Sequence, residues 1–309
     1  MKIGFLNNQF DNRGTGNAVY DYAHYNEELL GNKSVIYSFR HGNHDNKAVM
    51  RFHDRFSDIR ILEDFRTIHD TDIDFLYHIK SGQDDGFRPN GIPYGVHAVF
   101  EYQPHGDKFV AISEWLGSKW NTPFVPHIIS LPEITSDYRA LLQIPEDATV
   151  FGRHGAWDTF DISWAWDAIK DVVHERSDVW FLFLNTREYF KHPRVRYFPS
   201  TANMEAKKSF INTCDAMIHA RSRGETFGIS VGEFASQGKP IITYGKSHER
   251  AHIYELRGTA LTHNSQEELF EILKRFKHGQ KTHPFYNQYT PEKVIKQFKE
   301  VFLGENSGN

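Results

Sequence analysis

The stretch RGETFGISVGEFASQGKPIITY, residues 223–244, sets two glutamates eight positions apart around a Phe-Gly turn. Glu225 precedes the turn, and Glu233 falls one turn into a helix predicted to begin near Ile229. Gly228 lets the backbone turn tightly and come close to a ligand. The free N–H groups of Phe227 to Ser230 at such a helix start form an anion site suited to a diphosphate. A carboxylate at Glu233 can accept two hydrogen bonds from a vicinal diol such as a ribose, and Glu225 can do the same for a second sugar. Gly238 and Pro240 then end the helix and open a strand. Phosphate flanked by two polyols describes a nucleotide sugar. The same residues are equally consistent with two solvated glutamates beside a simple turn.

Other patterns carry less. HERAH (248–252) matches H-E-x-x-H, but that zinc motif needs both histidines on one helix, and this run follows a strand directly. HGNH (41–44) reads as a solvated loop. Gly14-Thr15-Gly16 lacks the third spaced glycine of a dinucleotide fingerprint, and Phe39 and Arg40 stand where a ribose-binding acid is needed. His97 by itself reads as a strand histidine whose nitrogens find partners inside. The aromatic run WDTFDISWAW is most simply core packing, with Trp157 a candidate to line an acceptor site.

The elements that must hold these residues alternate. Strand KIGFLN (2–7), a Gly14–Gly16 loop, a helix through Val19, Tyr22, Ala23 and Leu30, and strand SVIYSF (34–39) open the chain as a doubly wound sheet opens. Strand patterns follow at 59–64, 74–79, 94–100, 109–113 and 124–129. Polar, proline-bearing 130–148 reads as a connector. A second alternating series follows, with strands at 149–155, 179–185, 195–199, 216–221 and 240–245 and helices at 161–176 and 205–214. The tail predicts a helix with Thr290 as N-cap, Pro291 at its first position and Gly304 at its stop. The expected fold is α/β with two Rossmann-like domains facing a cleft. The first spans 1–140, joined by the tail helix 290–303, and the second spans 148–284.

Composition excludes some classes. Across 309 residues, 36 Lys and Arg against 40 Asp and Glu give a net charge of -4, with no basic excess to hold nucleic acid. Cys214 is the single cysteine and has no partner for an intrachain disulfide, as in a reducing compartment. The apolar start turns polar too soon for a signal peptide, and no run has the length of a membrane span. The expectation is a cytoplasmic protein with at most peripheral membrane contact.

The opening motif resembles the E-x7-E element of glycosyltransferase family 4, retaining enzymes of GT-B fold, in which the usual form is E-G-F-G-x-x-x-x-E-A-x-x-x-G-x-P-V. CDAMIHARSRGE (214–225) resembles the preceding strand and loop of that family, and DKFVAISEWLG (107–117) its first-domain D-x-V-I-x-x-S-E stretch. The resemblance implies transfer of a sugar from a nucleotide diphosphate sugar to a hydroxyl of a glycan or glycoconjugate, with no metal or other cofactor. Glu233 would hold the donor ribose and Glu225 the transferred sugar, while Phe227, Gly228 and Ile229 would present amides to the donor. Arg153 would neutralise the departing diphosphate, Gly14 and Gly16 would let the first-domain loop approach, and His97 would match the family's histidine facing the sugar. The residues near 197–199 would lie by the base.

One departure stands out. The family pairs its arginine with a lysine about five residues on, and RHGAWDTFDI has none. Arg221, Arg223 or Lys246 would then supply the charge. An epimerase, or a degenerate transferase that only binds a nucleotide sugar or glycan, fits the same motif. A glycosidase fits it less well, because it needs two carboxylates on opposite sides of one bond.

Overall fold

The computed structural model describes residues 1–63, 68 and 72–304. The chain forms two compact units, Met1–Ile128 with Tyr289–Asn309, and Ile129–Gln288.

The first unit runs β1 (Lys2–Asn7), α1 (Gly14–Glu28), β2 (Lys33–Phe39), α2 (Asn46–Arg55), β3 (Ile59–Leu62), β4 (Phe75–Lys80), β5 (Tyr94–Ala98), β6 (Lys108–Ala111) and α3 (Glu114–Trp120). Its strands form one parallel sheet in the order β3-β2-β1-β4-β5-β6. Ile3, Phe5 and Leu6 of β1 are all buried, as a strand covered on both faces requires. The predicted 59–64 strand ends at Leu62; Asp64 lies outside the described residues. The helix over Pro291–Phe298 starts at its proline and packs in this unit. Its Phe298 stacks on Phe5 with ring centroids 6.3 Å apart.

Two expectations are corrected here. Gly14 and Gly16 are not a loop but the first turn of α1. Gly16 is required there because a Cβ would sit 2.4 Å from the Asp11 carbonyl oxygen. The run 124–129 is extended but makes only a single bridge, Ala111 to Phe124. Its carbonyls serve side chains instead: Gln297 donates to Phe124 O (2.6 Å), His97 to Val125 O (2.8 Å) and Tyr22 to Pro126 O (2.6 Å).

The second unit holds α4 (Arg139–Leu142), β7 (Thr149–His154), α5 (Ser163–Glu175), β8 (Val179–Leu184), β9 (Val195–Phe198), α6 (Met204–Thr213), β10 (Ala216–His219), β11 (Gly224–Glu225), α7 (Ile229–Ala235), β12 (Ile241–Tyr244), β13 (Glu249–Arg250), α8 (Ala251–Glu255), β14 (Leu261–His263) and α9 (Gln266–Arg275). Its parallel sheet, β14-β12-β10-β7-β8-β9, repeats the first sheet's order, with the reversal between β7 and β10. Ala165, Trp166, Ile169, Val172 and Val173 of α5 fill the core beneath it.

The segment 130–148 belongs to this unit and is not a free connector. Ser136 bonds Ser209, Tyr138 N donates to Thr213, and Arg139 pairs with Asp215 at 2.9 Å. The boundary therefore falls at Ile128, ahead of the expected residue 140, because these contacts tie the segment forward to α6 and β10. Among the described residues no helix is long and apolar enough to cross a membrane.

Candidate active site

Ligands of doubly wound sheets sit where the strand order reverses, beyond the carboxyl ends of the strands. In the second unit that place is the end of β7 and β10. The residues there are Arg153 and His154 closing β7, His219 closing β10, and Glu225 and Glu233 on the segment that follows.

Gly228 begins α7 with φ +87°, a left-handed conformation that glycine adopts without strain. A Cβ on it would lie 3.2 Å from that of Glu225, so the turn packs directly on the first glutamate. Tyr286 secures the same turn by donating its hydroxyl to Phe227 O at 2.8 Å. Ile229 is the first helical residue, as the spacing predicts.

Both glutamates are held as carboxylates. Glu233 is 3% exposed. Lys207 of α6 donates to its Oε1 at 2.7 Å, and His154 Nε2 lies 2.9 Å from its Oε2, off the line of a hydrogen bond. Burial alone would raise this carboxyl, but the Lys207 ammonium and then His154 outweigh it and hold it at about 2. Glu225 receives His219 Nε2 on Oε1 at 3.2 Å and Arg221 on Oε2 at 2.8 Å. Burial is again overcome, by His219 and Arg221, and the carboxyl rests at about 2.

Arg153 is engaged by its own chain. It is 2% exposed. It donates to Ala156 O (2.8 Å), Thr159 Oγ1 (2.5 Å), Asn185 O (3.2 Å) and the Thr186 hydroxyl. Burial lowers it to about 10, so it stays charged at neutral pH. Asn185 donates to Gly155 O at 2.8 Å, so both residues clamp the loop that carries exposed Trp157. The structure therefore shows Arg153 as a loop brace, and any phosphate would have to compete with these four partners.

His97 is fully buried in the first unit, on β5. Its Nε2 faces the carbonyls of Val125 (2.8 Å) and Ala111 (3.2 Å) and must donate; its Nδ1 then accepts from Tyr77 OH at 2.7 Å. Burial lowers it to about 4. This is the strand histidine with satisfied nitrogens, and no face of it is left open for a sugar.

HERAH does not form a zinc helix. Glu249 and Arg250 are strand, His248 precedes them, and only His252 is helical. Among the described residues the one group with metal-ligand proximity is Asp84, Asp85 and His105 in the first unit. Its carboxylates are already paired, Asp84 with Arg88 at 2.8 Å and Asp85 with Lys80 at 2.6 Å. It lies away from the motif in sequence and in unit.

The structure adds His154, Lys207, His219, Thr243 and His252 to the residues the motif named. His154 and His219 carry a sequence signal, since each is the polar residue closing an apolar strand run, TVFGRH and AMIH. Lys207 carries none, because its approach depends on how α6 packs.

No known family model matches this sequence, and no curated protein matches it. Solved structures match over the whole chain. HepE of Anabaena, in complex with UDP and glucose, has a TM-score of 0.70 at 14% identity, covering 99% of this chain and 100% of that one. A glycosyltransferase from Rickettsia africae gives 0.70 at 12% identity, with 98% of both chains covered. A putative UDP-N-acetylglucosamine 2-epimerase from Listeria monocytogenes gives 0.65 at 9% identity, covering 100% of this chain and 98% of that one. Likeness at these identities establishes the fold: α/β, GT-B type, with two Rossmann-like units.

Proposed function

We propose that the chain is a retaining glycosyltransferase of the family 4 type. It would move a sugar from a nucleotide diphosphate sugar to a hydroxyl of a glycan or glycoconjugate. The observation that carries this reading is the pair of ionised, largely buried carboxylates, Glu225 and Glu233, on either side of the left-handed Gly228 at the sheet's reversal point. Glu233 takes the ribose diol, and Glu225 takes hydroxyls of the transferred sugar. Phe227, Gly228 and Ile229 offer backbone amides beside the diphosphate. The donor roles of Gly14 and Gly16 rest on the family resemblance alone.

In this reading no protein nucleophile and no metal is required. The leaving phosphate takes the acceptor's proton on the same face of the sugar, and the protein supplies positioning and charge. The HepE complexes with UDP and UDP-glucose make uridine diphosphate sugars the first donors to try. The test is NMR of the purified protein with a panel of such donors, with and without saccharide acceptors. A new α-linked product from an α-linked donor, formed only with acceptor, is the expected result; an inverted linkage would refute retention.

The Listeria neighbour supports a second reading, a nucleotide-sugar epimerase. The same spectra separate the two, because an epimerase changes the donor when no acceptor is present. Saturable binding with no product in either arm would make the chain a binding protein.

A further inference from the structure

Behind Glu225 runs a chain of side chains that the motif does not contain. His219 Nε2 lies 3.2 Å from Glu225 Oε1, His219 Nδ1 lies 2.9 Å from Thr243 Oγ1, and Thr243 Oγ1 lies 3.0 Å from His252 Nε2. Thr243 and His219 are register partners on β12 and β10. Thr243 and His252 are fully buried, and His219 is 4% exposed.

The carboxylate fixes the direction of the first bond, and a neutral His219 then fixes the rest. Ionised Glu225 only accepts, so His219 Nε2 carries a proton and donates. In a neutral imidazole Nδ1 is then a bare acceptor, and the Thr243 hydroxyl must donate to it. Having given its one proton to His219, Thr243 Oγ1 accepts from His252 Nε2. That leaves His252 Nδ1 unprotonated, and this atom is buried with no side-chain hydrogen-bond partner among the described residues. With His219 neutral each member has one consistent assignment, and the orphan falls at the end of the chain away from the carboxylate.

We propose that His219 is a positioning residue for Glu225, and that the Thr243 hydroxyl, backed by His252, locks it in the tautomer that donates to the carboxylate. Without the hydroxyl only the Glu225 carboxylate favours Nε2–H while Nδ1 is left buried with no donor, and whatever fraction takes the other tautomer sets a bare Nε2 against the carboxylate. Arg221 holds the other oxygen, so each carboxylate oxygen keeps a lone pair for a ligand hydroxyl. The role in catalysis rests on the function proposed above; the tautomer does not.

Nitrogen-15 NMR of histidine-labelled full chain tests the tautomer, with His219 assigned by the signal lost in His219→Gln. A protonated Nε2 and bare Nδ1 are expected, retained in Thr243→Ser and lost to a mixture in Thr243→Val. An Nδ1–H tautomer or an imidazolium in the unaltered protein at neutral pH would overturn the proposal. Thr243→Val should also lower kcat/KM for the nucleotide sugar about ten- to a hundredfold, with serine restoring it, the loss expected for a weakened charged hydrogen bond. Affinity for the free nucleoside diphosphate should stay within about twofold, since it engages Glu233 and not Glu225. An unchanged kcat/KM in Thr243→Val refutes the positioning role. The predicted tautomer in a protein that binds no nucleotide sugar refutes the function and leaves the arrangement standing. Thr243→Ala replaces the valine variant if that protein does not fold.

Discussion

Lys207 Nζ and Glu233 Oε1 stand 2.7 Å apart, with the side chains only 13% and 4% exposed. The ammonium is the main reason a carboxyl this deeply buried stays ionised. A pair of this kind is costly to break from one side only, because the remaining charge is left in a low dielectric.

Lys207→Met should therefore destabilise the second unit by about 3–5 kcal/mol at pH 7. The double variant Lys207→Met, Glu233→Gln should recover much of that loss, since no buried charge is then unpaired. Urea titrations of the unaltered protein, Lys207→Met, Glu233→Gln and the double variant supply the cycle. Simple additivity of the two single changes would show that the residues do not interact in solution.

The two glutamates should separate by ligand. Glu233→Gln should weaken both the free nucleoside diphosphate and the intact nucleotide sugar. Glu225→Gln should weaken only the nucleotide sugar, and turnover with it. A hydrogen bond to a charged group is worth about 1.5–3 kcal/mol, so each loss should be about ten- to a hundredfold in affinity. Calorimetric titration of both ligands into both variants decides the matter. Equal weakening of the two ligands by Glu225→Gln rules out the two-polyol assignment.

Arg153→Leu should act on stability and on the loop it braces. Removing the guanidinium takes the donor from Asn185 O, while Ala156 O keeps Thr159 and the Thr186 hydroxyl keeps Leu184 O, and a stranded buried polar group costs about 1–3 kcal/mol. A fall in the melting temperature with faster amide exchange over 155–159 is the expected pair of results. A variant with an unchanged melting temperature that still loses turnover would return Arg153 to the direct phosphate role.

The sheets were legible because parallel strands buried on both faces write themselves as short apolar runs, as in VWFLFL and AMIH. The motif turn was legible because only glycine suits the left-handed residue before Ile229. Legibility stopped where tertiary packing decides. Arg153 ends an apolar strand whether it faces a ligand or its own loop, and only the carbonyls of Ala156 and Asn185 show which. His97 looked exceptional through family likeness, whereas the buried environment of β5 accounts for both its nitrogens. The extended run 124–129 has a strand's pattern, but its carbonyls are taken by Gln297, His97 and Tyr22, which no local pattern foretells.

The buried histidines predict a strong and specific acid sensitivity. Burial lowers His78 to about 3 and His97 to about 4 in the first unit, and His252 to about 3 and His263 to about 4 in the second. In the unfolded chain each titrates near 6.5. Between pH 6.5 and about 4 the unfolded state therefore binds protons that the native state does not, and stability rises with pH across that window. The contribution is complete above 6.5 and is lost as pH falls toward the native values. Burial also lowers His127 in the first unit and His154 in the second. One proton per histidine gives a slope of about 1.4 kcal/mol per pH unit, so two to three in each unit give about 2.7–4. Glu225 and Glu233 act in the same direction but lower, their contribution being lost as pH falls from about 4.5 toward 2. The loss from pH 6.5 to 5 thus belongs to the histidines and should precede any carboxylate effect. Urea unfolding at pH 7, 6 and 5, with proton uptake measured at pH 5.5, checks it. An uptake of about two to three protons per unit is expected. Stability that stays level from pH 7 to 5 would mean that these imidazoles are solvated in solution.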